Sequence, residues 1–363
     1  MNRSFSIYLD ALRFCAAFIV VMSHFAYPRF TEGRWMWIRE LNLGSDAVIV
    51  FFVLSGLVIS YSAPNKSGMF REYAFDRLTR LFSVAFPALL VGFALDRFGS
   101  FIAPEIYNGW YYNPVPFWEM LVRGLTFSNE WTGLQTRLGT NGPYWSLSYE
   151  AAYYALFGIM IFTGGVLRLV LLVAGALVVG VNVLLLMPCW LLGVAVQKRI
   201  SAGRLPDGKV ALAFALTPAM LYALALATGL PDLLSQQYSA ANWGLRFSDE
   251  FVWNTLLAVL VAVHLLGLAG LLTSQKARFQ RPVRWLAGGS FSLYLIHYPA
   301  LQFFAAVGLA GSSLLQDVAF LSATCVLCFT FAAFFERPLG RWREAVRPLF
   351  FPRGTTGTRS SAG

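Results

Sequence analysis

An arginine and a histidine, Arg13 and His24, stand eleven residues apart in the otherwise mostly apolar stretch LDALRFCAAFIVVMSHF. That interval is about three helical turns, so both side chains fall on one face, roughly 16 Å apart along the axis. A cation buried in a membrane span costs about 2.5–3.5 kcal/mol on insertion scales, so the arginine needs a reason to be there. Asp10, three residues earlier, offers one as a local ion pair. A functional site offers the other. An imidazole titrates near neutrality and can take a proton from a hydroxyl. A guanidinium binds oxyanions through forked hydrogen bonds. At that separation the two cannot act on a single atom.

Further residues of the same kind recur along the chain. Arg77 and Arg80 are again three apart, placed either to clamp phosphate or to snorkel to lipid headgroups. Glu150, in YWSLSYEAAYY, reads either as an acid at a helix N-terminus or as a carboxylate at the depth of His24 that orients the imidazole. Asp46 follows Gly44 and Ser45, a sequence that also reads as an ordinary helix cap. His297, in SFSLYLIHYP, is a functional candidate by virtue of lying in a span, yet Pro299 nearby could free carbonyls for it to bond. His264 lies away from any motif and is read as structural. Cys15, Cys189, Cys325 and Cys328 all fall within apolar runs. Cys325 and Cys328 lack the second pair that a zinc site needs, so no metal site is expected.

The elements that must hold these residues are membrane helices. Apolar residues form 57% of the 363 and charged residues only 13%, too greasy for a soluble chain of that length. About ten runs approach the length of a membrane span: 7–27, 46–62, 81–97, 144–163, 166–181, 183–197, 210–228, 251–272, 285–309 and 316–335. Gly180, Asn182 and Pro188 interrupt the fifth and sixth. The expected fold is therefore an all-α bundle of about ten transmembrane helices, since backbone groups in lipid must be satisfied within the segment. Lys66, Arg71, Arg77, Arg80, Lys198, Arg199, Lys276 and Arg278 fall on one side of this frame, with the basic tail after the last span. That bias places both termini in the cytoplasm. The net charge of +10 is read as this topogenic excess rather than as nucleic-acid binding. The first run carries Asp10 and Arg13 and has no cleavage pattern after His24, so it is read as a retained helix. Residues 1–347 form one membrane domain, and the tail 348–363 is expected to be disordered. The segment 98–142 is rich in Trp, Tyr, Asn and Pro, which suits an interfacial aromatic belt better than a sugar-stacking surface.

Six strings occur in order: LDALR with His24, FFVLSG at 51–56, the pair Arg77 and Arg80, YWSLSYEAAYY at 144–154, SFSLYLIHYP at 290–299 and ERP at 336–338. Together they resemble the acyltransferase-3 family of bacterial inner-membrane O-acyltransferases over residues 10–338. Many members carry an acid two residues before the paired phenylalanines; this chain has Ile49 there, and Asp46 one turn earlier. The resemblance implies transfer of an acyl group, often acetyl, from a cytoplasmic acyl-CoA to a hydroxyl of an envelope or exported carbohydrate. It implies His24 as the base, with Glu150 and Arg13 beside the chemistry and Arg77 and Arg80 on the phosphates of coenzyme A. Asp10, Asp46 and His297 are further site candidates. No tightly bound cofactor is expected; the partners implied are acyl-CoA, a glycan acceptor and the lipid bilayer. Polar residues in spans suit a transporter or flippase for a lipid-linked glycan equally well, although no internal repeat supports that reading. A scaffold without activity is the third reading.

Overall fold

The structure, a computed structural model, describes residues 2–63, 70–239, 245–274 and 279–351. Lys66, Lys276, Arg278 and the end of the expected tail, 352–363, lie outside the described residues. Helix α1 (Arg3–Phe25) is followed by two single turns, α2 (Pro28–Thr31) and α3 (Trp37–Glu40), then by α4 (Leu43–Ser62) and the long α5 (Phe70–Ile102). After α6 (Phe117–Leu125) come α7 (Trp145–Phe162), α8 (Gly165–Val179), α9 (Val181–Leu185) and α10 (Met187–Ser201). Then follow α11 (Gly208–Ala227), α12 (Leu230–Ser239), α13 (Phe251–Leu271), α14 (Gln280–Ala287), α15 (Ser290–Ala306), α16 (Leu314–Phe335) and α17 (Leu339–Phe350).

Each of the ten expected segments falls on helix, and among the described residues 7 helices are long and apolar enough to cross a membrane. The protein is therefore an all-α, multi-pass membrane protein. Three segments fall short of that standard for visible reasons. Helix α8 has 15 residues, α15 has 17, and α7 carries Ser146, Ser148, Glu150 and three tyrosines. The interrupted fifth and sixth passages break where their sequence suggested. Gly180 adopts φ +87 between α8 and α9, and Pro188 sits in the first turn of α10. Helix α17 runs on through Pro348 to Phe350, three residues past the boundary drawn for the tail.

Two helices organise the interior. Helix α4 packs against α1, α10 and α13. Its backbone meets that of α10 directly, because a Cβ on Gly56 would run into the Trp190 carbonyl and one on Gly193 into that of Val53. Small residues that let backbones approach are a main device of packing in lipid, where burial of apolar surface gives little. Helix α15 is wedged among α1, α5 and α16, with 14 of its 17 residues buried. Pro299 removes the N–H that would bond the Leu295 carbonyl. Asn141 takes its place, with Nδ2 donating to that oxygen at 3.0 Å. The carbonyl freed by the proline is thus satisfied by a loop, and His297 is left for another partner.

Candidate active site: two cavities that meet at one wall

Arg13, Arg77 and Arg80 arrive from α1 and α5 at one cavity of about 170 Å³, where Glu150 of α7 joins them. Each arginine is only partly committed. One Arg13 nitrogen, Nη2, donates to Asp10 at 3.2 Å and to the Ala287 carbonyl at 3.0 Å, while Nε is buried without a partner among the described residues. Arg77 donates to Ser62 Oγ at 3.1 Å, and its Nε is likewise unpartnered. Arg80 meets Glu336 at 3.1 Å. Glu336 also accepts the backbone N–H of Ser292 at 2.8 Å, so the ERP string ties the first turn of α15 to this cavity. Glu150 Oε1 accepts from Ser55 Oγ at 2.6 Å and from the Tyr154 hydroxyl, and Trp190 Nε1 in turn donates to Ser55 at 3.1 Å. Half-buried guanidiniums with free donors, beside a fixed carboxylate, suit a ligand that carries both oxyanions and N–H groups.

His24, one face along from Arg13, opens instead onto a second cavity of about 310 Å³. Its Nδ1 lies 2.9 Å from His297 Nε2. His297 Nδ1 lies 2.9 Å from the Leu293 carbonyl. A carbonyl only accepts, so His297 carries its hydrogen on Nδ1 and presents a lone pair at Nε2. His24 must then donate from Nδ1, which leaves its own Nε2 as a base. Aromatic rings hold the pair in place: His24 lies edge-on to Tyr298, with centroids 4.7 Å apart.

Polar and aromatic groups share the rest of this cavity. Trp110, Trp145, Phe247 and Tyr27 line it, with Arg39, Arg137, Arg246, Asp249 and Glu250. Arg246 pairs with the wholly buried Glu130 at 3.2 Å. Burial pushes the Glu130 carboxyl up to about 7 in spite of that partner. Glu250 is also pushed up to about 7 by burial, against the pull of Asn42, whose Nδ2 donates to both its oxygens. The two cavities share Val48 and Tyr294, so they abut across those side chains. Tyr294 is held by Ser146 Oγ at 2.8 Å.

The candidates therefore separate. Arg13, Arg77, Arg80 and Glu150 come together, with Asp10 behind Arg13; His24 and His297 come together elsewhere. Glu150 sits one turn and a half into α7, where it faces Ser55 rather than His24. Asp46 reaches neither cavity. It accepts from Tyr222 and Trp253 Nε1, each at 2.8 Å, and joins α4 to α11 and α13. His264 has both nitrogens engaged, by the Ala215 carbonyl at 2.7 Å and the Tyr8 hydroxyl at 2.5 Å, and also lies outside both cavities. Of the aromatic segment, Trp110 and Trp118 are both exposed, and Trp110 lines the histidine cavity. Ser55, Tyr154 and Glu336 were not singled out individually, although each lies within or next to a string already noted. Arg39 and Arg137 had no motif to mark them.

The family described as an acyltransferase domain matches residues 6–333, a stretch that contains every lining residue of both cavities. The chain belongs to the acyltransferase-3 family. Acyltransferase MdmB of Streptomyces mycarofaciens is 33% identical over 155 residues, covering 41% of this chain and 37% of that protein. The matched stretch thus spans well under two thirds of that relative's length. No solved structure matches. The family is described as an acyltransferase domain, and MdmB is named an acyltransferase.

Proposed function

We propose that the protein is an O-acyltransferase of the bacterial inner membrane, with both termini cytoplasmic. It moves an acyl group, acetyl in the first instance, from cytoplasmic acyl-CoA to a hydroxyl of a cell-envelope or exported carbohydrate. The observation that carries this reading is the pair of abutting cavities, one rich in guanidinium and the other holding a histidine with a free Nε2.

Arg77 and Arg80, with Arg13, take the phosphates of the donor, and Glu150 accepts N–H groups of its amide-bearing arm. The thioester then lies at the wall formed by Val48 and Tyr294. An acceptor hydroxyl in the histidine cavity gives its proton to His24 Nε2, and its oxygen forms a bond to the thioester carbonyl carbon. The carbon–sulfur bond breaks, and the departing thiolate takes up a proton to leave as free coenzyme A. General-base assistance of this kind contributes about 10²–10⁴-fold. With purified protein, labelled acetyl-CoA and a glycan acceptor, His24→Ala should lose transfer by about that factor. A rate equal to the parent's removes His24 from the mechanism.

A further inference from the structure

The histidine cavity carries more positive charge near His24 than the proposed reaction uses. Arg39 and Arg137 line this cavity together with His24. Neither has a carboxylate within ion-pair distance among the described residues, whereas Arg246 on the same cavity pairs with Glu130, which attracts Arg137 only from farther off. Arg39 stands 3.7 Å over the Tyr27 ring and spends one N–H on the Ser23 carbonyl at 3.0 Å. Arg137 stands 5.4 Å from the Trp110 ring, and its buried position pushes the guanidinium below its ordinary pKa. The two rings are themselves in contact, edge to face with centroids 5.8 Å apart. The result is a bracket of two cations and two aromatic faces beside the base. The cavity's acids are occupied elsewhere: Glu250 holds Asn42, and Asp249 accepts the backbone N–H of Glu250 at 3.1 Å.

Arg39 and Arg137 are half-buried and make no close ion pair, so an incoming anion gains charge-assisted hydrogen bonds from both. Aromatic faces at the same place suit the apolar faces of a sugar ring. We infer that the acceptor is an anionic sugar, whose carboxylate or phosphate is held by Arg39 and Arg137 while Trp110 and Tyr27 flank its ring. This rests on the acyltransferase reading and adds the acceptor's charge to it. The anion fixes the ring, and the ring presents its hydroxyl to His24.

The test is equilibrium binding to the full-length protein in a phosphate-free neutral detergent, with glucuronate, glucose 1-phosphate and glucose as ligands. Glucuronate or glucose 1-phosphate should bind at least tenfold more tightly than glucose, and whichever is preferred identifies the anion as carboxylate or phosphate. Added salt should weaken that binding. R137Q and R39Q should each abolish the preference, and R137K should keep part of it. Acetyl-CoA binding, measured on the same preparations, shows that a variant has kept its fold. Equal binding of all three sugars, binding of none, or a preference that survives R137Q and R39Q overturns the inference. Failure of the parent protein to use acetyl-CoA would instead overturn the acyltransferase reading, whatever the sugars do.

Discussion

His297 lines neither cavity, yet it sets which nitrogen of His24 carries the hydrogen. By accepting from His24 Nδ1 it leaves Nε2, the nitrogen proposed as the base, with its lone pair free. His297→Ala should therefore lower kcat about 10–100-fold with little change in either KM, comparable with losing the partner that orients a metal-binding imidazole. His297→Gln, whose side-chain oxygen can accept the same hydrogen, should recover part of the loss. Parental kcat in both variants, measured with labelled acetyl-CoA, would remove the relay. At this scale the sequence was legible in residue type and opaque in pairing. Both histidines stood out as polar groups in apolar runs, but their contact spans 273 positions and depends on how α15 is rotated against α1. Glu150 shows the same gap. Its place near the start of α7 suggested the depth of His24, whereas the direction of its side chain follows from Ser55 and Tyr154.

Helices were the most legible elements, because length and apolar content alone must satisfy a bilayer. Their contacts were not, since these depend on single small residues. Gly193 is the clearest case: any side chain there meets the α4 backbone, which cannot yield as a side chain would. Gly193→Val should destabilise the detergent-solubilised protein by about 1–3 kcal/mol, seen as a lower midpoint in thermal unfolding. An unchanged midpoint would mean that α4 and α10 are not held at this distance. Proline was read well at Pro188 and poorly at Pro348. The first opens a helix, as its missing N–H permits. The second sits inside α17, which is held from outside by Arg343 on Thr79 and Arg347 on Glu72. No local pattern reveals anchors of that kind.

Burial raises two acids at or beside the histidine cavity, Glu130 and Glu250, to about 7. Glu130 is normally ionised above about 4.5, and burial in the fold raises that value to about 7. The folded state thus holds this proton more tightly than the unfolded chain does. The stability that follows is complete below about 4.5 and is lost as pH rises to about 7. Glu250 acts with the same sign. Unfolding midpoints taken between pH 5 and 8 should fall with rising pH, and Glu130→Gln should flatten that fall by on the order of 1–3 kcal/mol. A slope unaltered by the substitution would show that Glu130 does not titrate there. Sequence gave no hint of this, because Glu130 lies in a polar segment where an exposed acid is the ordinary expectation. The shared wall at Val48 and Tyr294 has a consequence of another kind. A continuous aqueous passage at that point would be an electrical short, draining the proton gradient that an energised bilayer maintains. The side chains of that wall stand across such a passage, and on the proposed route only the acyl group would have to change sides.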